Sequence, residues 1–185
     1  MTGSSDCAST LLALNRLWKL GLTRTQLSVI GLRLGADVPF FLFGRNAWVE
    51  GVGEQITPID LPPARFVVVQ PDQGLETARI FCAPELRRDT RPATISGFAA
   101  LGPEQIFEFG RNDLQPVAQA LQAQIGVGLN WLAERGLQGR MTGSGSAIFA
   151  PLPLGGGAQL GTSKPADGWT ARVCSTLQVH PLADW

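Results

Sequence analysis

Hydrophobic positions in the first 20 residues recur at helical spacing and predict an opening helix. Its broad apolar face comprises Ala8, Leu11, Leu12, Leu14, Leu17 and Trp18. Ser4 or Ser5 is suited to the N-cap position, where a hydroxyl accepts a bond from a free backbone N–H. Gly21 is suited to end the helix, because glycine is common just after a last turn.

A second helix follows almost at once. Thr23 and Gln26 have the spacing of a capping box, and the apolar positions continue until Gly35. We therefore expect residues 1–36 to form a pair of helices joined by a tight turn.

The central part of the chain predicts short strands. Apolar stretches at 40–43, 47–52 and 66–70 are separated by turn residues, as strands usually are. Residues 76–81 predict a short helix. Residues 82–104 contain few periodic hydrophobic positions, so we expect a poorly ordered surface loop there.

The last third mixes both periodicities. Asn112 and Asp113 are suited to cap a helix that extends to about residue 124, and residues 125–136 predict another helix. A glycine-rich turn then leads into a strand at 147–152. Residues 155–168 have a linker-like composition, and residues 169–177 alternate as an edge strand does. Together these elements predict the α+β class.

Composition excludes several function classes. Hydrophobic residues make up 44% of the 185 residues, which is enough for a core. Fifteen Lys and Arg residues balance 15 Asp and Glu residues, so the chain lacks the basic surplus that nucleic-acid binding needs. Three scattered cysteines and one histidine argue against a disulfide framework, a zinc site and a Ser-His-Asp triad. With no secretory signal or bilayer-length apolar stretch in the sequence, we expect a cytoplasmic protein without membrane contact.

Three short motifs are candidates for chemistry. Gly3-Ser4-Ser5 at a helix start suits an anion, although a plain N-cap accounts for the serines equally well. Gly143-Ser144-Gly145-Ser146 fits either a tight turn or a close approach to a ligand, and it lacks the Lys-Ser/Thr of a Walker loop. Asp37 stands among apolar neighbours, so we expect a partly desolvated carboxylate that either caps a turn or takes part in function.

In register along the chain, these motifs resemble those of the GHMP small-molecule kinases. The resemblance is carried by Gly3-Ser4-Ser5-Asp6, Leu34-Gly35-Ala36-Asp37-Val38-Pro39-Phe40, Asn112-Asp113-Leu114 and Met141-Thr142-Gly143-Ser144-Gly145-Ser146. It implies a GHMP-type fold, with the remainder of an N-terminal ATP-binding domain at residues 1–60 and a C-terminal domain at residues 61–185.

The implied activity is phosphoryl transfer from ATP, with Mg²⁺, to a hydroxyl of 4-diphosphocytidyl-2-C-methyl-D-erythritol in isoprenoid precursor biosynthesis. A homoserine- or mevalonate-type GHMP kinase is one alternative. A non-catalytic nucleotide-binding remnant is another. The resemblance is compatible with a monomer or a homodimer.

The resemblance also implies roles for particular residues. Asp37 is the catalytic carboxylate. The ATP site includes Gly3, Ser4 and Ser5 from the phosphate loop and Gly143, Ser144 and Gly145 from the third family motif. Thr77 and Phe81 match positions that bind the diphosphocytidyl substrate; Phe81 either stacks on the cytosine ring or belongs to the core. Metal ligands are left unassigned.

Other family members carry a segment before this point, with a lysine and the front of the phosphate loop. Met1 stands where that loop is expected, and neither Lys19 nor Lys164 matches the lysine. We therefore expect an N-terminally truncated chain that by itself is a poor kinase, because several groups that stabilise the transferring phosphoryl are missing.

Overall fold

The structure, a computed structural model, describes residues 2–102, 105–153 and 163–185. The chain divides into two compact units. Unit 1 comprises Met1–Pro62 and Leu177–Trp185, and unit 2 comprises Pro63–Thr176. The predicted domains at 1–60 and 61–185 stay a prediction, and the last nine residues group with unit 1. Among the described residues, no helix has the length and apolar character needed to cross a membrane.

Unit 1 is built around three helices, α1 (Thr2–Leu17), α2 (Arg24–Leu34) and α3 (Val38–Phe43). Their core consists of Ala8, Leu12, Leu27, Val38 and Leu42. The predicted pair of helices in residues 1–36 is confirmed.

The capping box at the start of α2 is also confirmed. The backbone N–H of Thr23 donates to Gln26 Oε1 at 2.8 Å, and the backbone N–H of Gln26 donates to Thr23 Oγ1 at 3.3 Å. These reciprocal bonds satisfy N–H groups that the helix itself leaves without a partner.

Two details of α1 differ from the sequence-based expectation. The helix already includes Thr2, so Ser4 and Ser5 lie in its first turn, and their prediction as N-cap is wrong. The predicted apolar face is also too wide, because Leu17 is 73% exposed and Trp18 62% exposed. Only the part of the face that α2 and α3 cover is buried.

The strand predicted at 40–43 is wrong, because these residues belong to α3. Pro39 lies in the first turn of α3, where its fixed φ favours a helix and its missing N–H costs nothing. Gly44 ends α3 with a left-handed φ of 75°, and its N–H donates to Phe40 O.

A β-hairpin completes the first part of unit 1. Strand β1 (Ala47–Glu50) confirms the strand predicted at 47–52, and β2 (Gln55–Pro58) pairs with it in antiparallel register. The side chains of β2 are largely exposed, so its sequence has no strand pattern and β2 is not among the predicted strands.

Unit 2 contains an antiparallel sheet in the order β4-β5-β3-β6. Its strands are β3 (Arg65–Gln70), β4 (Arg140–Met141), β5 (Ile148–Leu152) and β6 (Thr170–Ser175). The strands predicted at 66–70 and 147–152 and the edge strand at 169–177 are confirmed. One face of the sheet packs into the core of unit 2 through the side chains of Val67, Val69, Ile148 and Ala150.

Three of the four helices that the structure describes in unit 2, all except the second, contribute buried side chains to that core. The four helices are α4 (Thr77–Phe81), α5 (Ile95–Ala99), α6 (Leu114–Leu121) and α7 (Ala123–Ala133), with a 3₁₀ turn at Ile106–Glu108. The short helix predicted at 76–81 is confirmed, and the helices predicted after residue 112 are present with shifted ends.

The surface loop predicted at 82–104 is correct for residues 82–94, which contain no helix or strand and are mostly exposed, and wrong where the described part forms a helix or enters the core. That part contains α5 and buries Ala83 and Leu86 in the core of unit 2. Two buried apolar positions are too few to give a periodic pattern in the sequence. Of the predicted linker at 155–168, residues 155–162 lie outside the described residues.

Candidate active site

The first turn of α1 is one half of the candidate site in unit 1. Gly3, Ser4 and Ser5 lie in this turn. The N–H groups of Gly3 and Ser4 are among the first four of the helix, which have no intrahelical partner, and Ser5 adds a hydroxyl directly after them. Gly3 is exposed, and a Cβ atom placed on it meets nothing within 4 Å. The N-terminal end of this 16-residue helix therefore has both the donors and the room that an anion needs.

The turn that carries Asp37 passes beside this helix end. Ser4 Oγ lies 3.9 Å from the place where a Cβ atom on Gly35 would stand. Because Gly35 is two residues before Asp37, the carboxylate belongs to a segment that touches the first turn of α1. The structure thus brings two sequence-predicted site elements of unit 1 together.

The expectation that Asp37 is partly desolvated is wrong. Its apolar neighbours Val38 and Pro39 are buried, whereas Asp37 itself is exposed. Asp37 is the N-cap residue of α3, but its side chain makes no capping hydrogen bond. The carboxylate is therefore not committed to holding α3, and it is available to a ligand.

The tip of the β1–β2 hairpin supports the Asp37 turn from another direction. A Cβ atom on Gly53 would lie only 1.9 Å from the carbonyl oxygen of Ala36, the residue before Asp37. Glu54 closes the tip: its carboxylate accepts hydrogen bonds from its own N–H and from the N–H of Val52, and these bonds lower the pKa of Glu54. Because Gly53 has no side chain, the backbone of the hairpin tip can contact the backbone of the Asp37 turn.

In unit 2, the glycine-rich turn connects β4 to β5. Asn112 holds it from the start of α6: its Nδ2 donates to Met141 O at 2.9 Å and to Gly143 O at 2.8 Å. Gln115 Oε1 accepts from the N–H of Met141 at 2.8 Å. The sequence indicates Asn112 only as a helix cap and as part of a motif, because the carbonyls that it binds are about 30 residues away in the chain.

Helix α4 contacts the same turn. Thr77 Oγ1 and Ser144 Oγ are 2.8 Å apart, within hydrogen-bond distance. Phe81 is four residues after Thr77, so both side chains lie on the same side of α4. Phe81 is 52% exposed, and the interpretation of Phe81 as a core residue is therefore wrong.

The predicted site residues thus form two groups. Gly3, Ser4, Ser5 and Asp37 belong to unit 1, whereas Thr77, Phe81, Gly143, Ser144 and Gly145 belong to unit 2. Their convergence on a single cleft stays a prediction.

Unit 2 also has a pocket of about 430 Å³ that contains none of the predicted site residues. Phe107, Asn112, Gln115 and Arg140 are among its lining residues. Asn112, Gln115 and Arg140 each use a polar atom to bind backbone: Arg140 Nη1, for example, donates to Phe109 O at 3.0 Å. The pocket is therefore a depression in a hydrogen-bonded framework and not the candidate site.

Comparison with known proteins supports one family. The family described as "GHMP kinases N terminal domain" matches residues 2–45, which include Gly3, Ser4, Ser5 and Asp37. A protein of a Polaromonas species named 4-diphosphocytidyl-2-C-methyl-D-erythritol kinase is 62% identical over 183 residues, 99% of this chain. The chain thus resembles the GHMP kinases in residues 2–45, and it resembles this named kinase over 99% of its own length. A Variovorax paradoxus protein with the same name is 55% identical over 195 residues and also matches 99% of this chain.

The chain is shorter than these GHMP relatives. It spans 59% of the Polaromonas protein and 65% of the Variovorax protein. A crystal structure of 4-(cytidine 5'-diphospho)-2C-methyl-D-erythritol kinase is 33% identical, with a TM-score of 0.64, and covers 81% of this chain and 55% of that one. The GHMP-kinase-like α+β fold expected from the sequence is therefore confirmed.

Replacing Asn112 tests how the glycine-rich turn is held. We expect Asn112→Ala to lower the free energy of unfolding by about 2–3 kcal/mol, because it removes two donors and a cap at roughly 1 kcal/mol each. Asn112→Asp keeps the oxygen that caps Leu114 N–H but turns a carboxylate toward two carbonyl oxygens, so we expect at least as large a loss. Urea unfolding of the purified chain measures both.

Asn130→Ala is the matched control, since Asn130 is exposed on α7 and its side chain makes no hydrogen bond within the described ranges. Wild-type stability of Asn112→Asp would show that only the cap matters and would contradict the clamping role of Asn112.

Proposed function

We propose that the chain is part of an ATP-dependent kinase that phosphorylates a hydroxyl of 4-diphosphocytidyl-2-C-methyl-D-erythritol. The names of relatives that match 99% of the chain support this substrate. The structural observation that carries the proposal is the exposed carboxylate of Asp37, which makes no capping hydrogen bond to α3 and belongs to a turn beside the first turn of α1. The names of the relatives favour neither a homoserine- or mevalonate-type kinase nor a non-catalytic remnant.

In this proposal Asp37 accepts the proton of the attacking hydroxyl. A carboxylate that is free of capping bonds can turn toward the substrate, and general-base assistance of this kind typically contributes ~10²–10⁴ in rate. The N–H groups of Gly3 and Ser4 and the hydroxyl of Ser5 bind phosphate oxygens of ATP, since they lie at the positive end of α1. This arrangement brings the base and the phosphate site into one neighbourhood of unit 1.

Mg²⁺ fits this arrangement as an ion carried chiefly by ATP. Within the described parts of the chain, no group of three or more His, Cys, Asp or Glu side chains is placed to hold a metal. Mg²⁺ commonly binds substrate phosphates, several waters and only one or two protein ligands. When bound, it neutralises charge on the phosphates; Asp37 and the hydroxyls of Ser4 and Ser5 are the protein groups that would reach it.

Unit 2 supplies the substrate-binding part of the proposal. Phe81 offers an exposed ring for the cytosine base, and Thr77 lies on the same side of α4. The bond between Thr77 and Ser144 links this helix to the glycine-rich turn. We also propose that Gly143, Ser144 and Gly145 of this turn contact ATP. We propose a cytoplasmic location, a role in isoprenoid precursor biosynthesis, and a monomeric or homodimeric state.

The function is tested in a chimeric kinase that joins this chain to the part of the Polaromonas relative that the match leaves uncovered. ADP release is followed with Mg-ATP and, in parallel, with 4-diphosphocytidyl-2-C-methyl-D-erythritol, homoserine or mevalonate. We expect turnover with the first acceptor alone. Turnover with homoserine or mevalonate instead would replace the proposed substrate, and no turnover with any acceptor would favour the non-catalytic alternative.

The role of Phe81 leads to a separate prediction. In the chimeric kinase, Phe81→Leu should raise KM for the diphosphocytidyl substrate about 5- to 150-fold, because base–aromatic stacking is worth ~1–3 kcal/mol. KM for ATP should stay unchanged. Phe81→Tyr keeps the ring and should restore most of the affinity.

Trp18→Leu removes another exposed ring, in unit 1, and serves as the control. An equal rise of KM for ATP in Phe81→Leu would indicate a general disturbance of the site and would argue against stacking on the base.

A further inference from the structure

One guanidinium in unit 1 joins three parts of the chain. Arg24, the first residue of α2, donates from Nη1 to the carbonyl oxygen of Leu42, near the end of α3. Its Nη2 donates to Leu182 O at 2.5 Å and to Ala183 O at 2.7 Å. The same Nη2 also lies 3.5 Å from the backbone oxygen of Trp185. All of these acceptors are backbone oxygens.

The acceptors of Nη2 lie in the segment 177–185, which we call the C-terminal strap. The strap is fixed along its length: Gln178 Nε2 donates to Leu61 O at 3.1 Å, and the N–H of His180 donates to Gly44 O at 2.8 Å. Leu182 packs against the core of unit 1, and the guanidinium of Arg16 lies 4.8 Å from the centre of the Trp185 ring. The strap therefore touches the chain directly after α3, at Gly44.

Helix α3 depends on such contacts for its position. With six residues it is too short to be stable by itself, since isolated helices need about 12–15 residues even in favourable sequences. Its inner side packs on α2 at Gly31, where a Cβ atom would lie 2.7 Å from Val38 Cγ1 and 2.9 Å from Leu42 Cδ1. Its carboxyl end is held by Arg24 and by the strap at Gly44.

Asp37 lies at the opposite end of this helix. An α-helix rises 1.5 Å per residue, so Asp37 and the Leu42 carbonyl are separated by less than two turns, or about 8 Å along the axis. A segment this short moves as a rigid body. A shift of the Leu42 end therefore moves Asp37 relative to the first turn of α1.

We propose that Arg24 is a positioning residue for Asp37. The C-terminal strap takes part in this role, because its backbone carbonyls hold the guanidinium in place. The guanidinium holds the carbonyl of Leu42 and the carbonyls of Leu182 and Ala183 in one fork and so fixes the orientation of α3. The inference rests on the proposed function, in which Asp37 is the base.

The choice of arginine fits this role. A planar guanidinium presents five donors in a rigid fork, so it can bind several carbonyl oxygens from different directions at once. A lysine ammonium has three donors on a flexible stem and binds less selectively. The free carbonyls at the end of α3 also carry partial negative charge, which favours a cation there.

The test compares Arg24→Met, Arg24→Lys and a chain that ends at His180, each in the chimeric kinase. Because a misplacement of about 1 Å can cost ~10²-fold in rate, we expect Arg24→Met to lower kcat by about 10- to 100-fold. KM for both substrates should change by less than about twofold, since Arg24 touches neither substrate. Arg24→Lys should retain part of the activity.

The strap gives a second, independent arm. The shortened chain lacks Leu182 and Ala183 and should lose about as much kcat as Arg24→Met. The double variant should lose no more than either single change, because both remove the same connection. Arg33→Met is the matched control: it makes the same substitution in the last turn of α2 at an exposed side chain.

Amide hydrogen exchange separates this inference from the proposed function, because it needs no turnover. In the 185-residue chain, Arg24→Met should speed exchange at residues 38–44 and 178–183, whereas Arg33→Met should not. Unchanged exchange at these residues in Arg24→Met would show that Arg24 does not hold α3 and the strap. Faster exchange with unchanged kcat, or equal losses for Arg24→Met and Arg33→Met, would overturn the positioning role. An inactive wild-type chimeric kinase would refute the proposed function and with it the effect on catalysis.

Discussion

We expect Asp37→Asn to lower kcat of the chimeric kinase by about 10²–10⁴-fold while KM for ATP changes by less than about twofold. Asparagine has nearly the same shape, but it cannot accept the proton of the attacking hydroxyl. The side chain makes no capping bond to α3, so the substitution should leave the fold intact. Steady-state ADP release at saturating substrate measures the effect, and thermal unfolding checks the fold.

The control is Asp60→Asn, which makes the same change of charge at another exposed aspartate of unit 1. We expect it to keep wild-type kcat. If Asp37→Asn also keeps wild-type kcat, Asp37 is not the base. If it raises KM for ATP and leaves kcat unchanged, Asp37 acts in ATP binding.

The second large effect is expected at Gly53, where the hairpin tip meets the Asp37 turn. Gly53→Ala would place a Cβ atom 1.9 Å from Ala36 O, at a residue whose φ is +115°. Backbone strain and the forced shift together should lower the free energy of unfolding by about 2–4 kcal/mol. Because Ala36 adjoins Asp37, kcat of the chimeric kinase should also fall, by about 10²-fold for a shift near 1 Å.

Gly21→Ala separates the two causes. Gly21 also has a left-handed φ, +66°, but nothing lies within 4 Å of its Cβ position. We expect backbone strain in this control to lower the free energy of unfolding by only about 1–2 kcal/mol and to leave kcat unchanged. Urea unfolding measures the loss of stability in both variants. Equal losses would mean that the close contact with Ala36 adds nothing to the destabilisation of Gly53→Ala.

The sequence predicted the elements that local signals determine. The capping box of Thr23 and Gln26 lies within four consecutive residues, and the structure shows both of its hydrogen bonds. The strands β3 and β5 have runs of β-branched and aromatic residues, and both are present. In such segments the physical cause of the structure lies in neighbouring residues.

Elements that depend on distant contacts were predicted less well. A short apolar run such as residues 40–43 suits a strand and a buried helix equally. Packing of Val38 and Leu42 against Gly31 of α2 favours the helix, and no local pattern reports that packing. The strand β2 has largely exposed side chains, and its strand character comes from pairing with β1.

The candidate site shows the same division. The sequence motifs named Asp37, but its exposure follows from the burial of Val38 and Pro39 on the other side of the backbone. The clamping role of Asn112 depends on carbonyls about 30 residues later in the chain, at Met141 and Gly143. The close contact of Gly53 with Ala36 likewise becomes visible only in three dimensions.

The path of the chain through the two units has a consequence for synthesis on the ribosome. Unit 2 is continuous in sequence, and its two ends meet, since the N–H of Thr176 donates to Ala64 O at 2.9 Å. Unit 1 is divided and includes residues 177–185. During translation, all of unit 2 therefore emerges before the C-terminal strap. The helices of unit 1 cannot complete their packing until the strap has left the exit tunnel, because Arg24 lacks its backbone partners at residues 182, 183 and 185 until then.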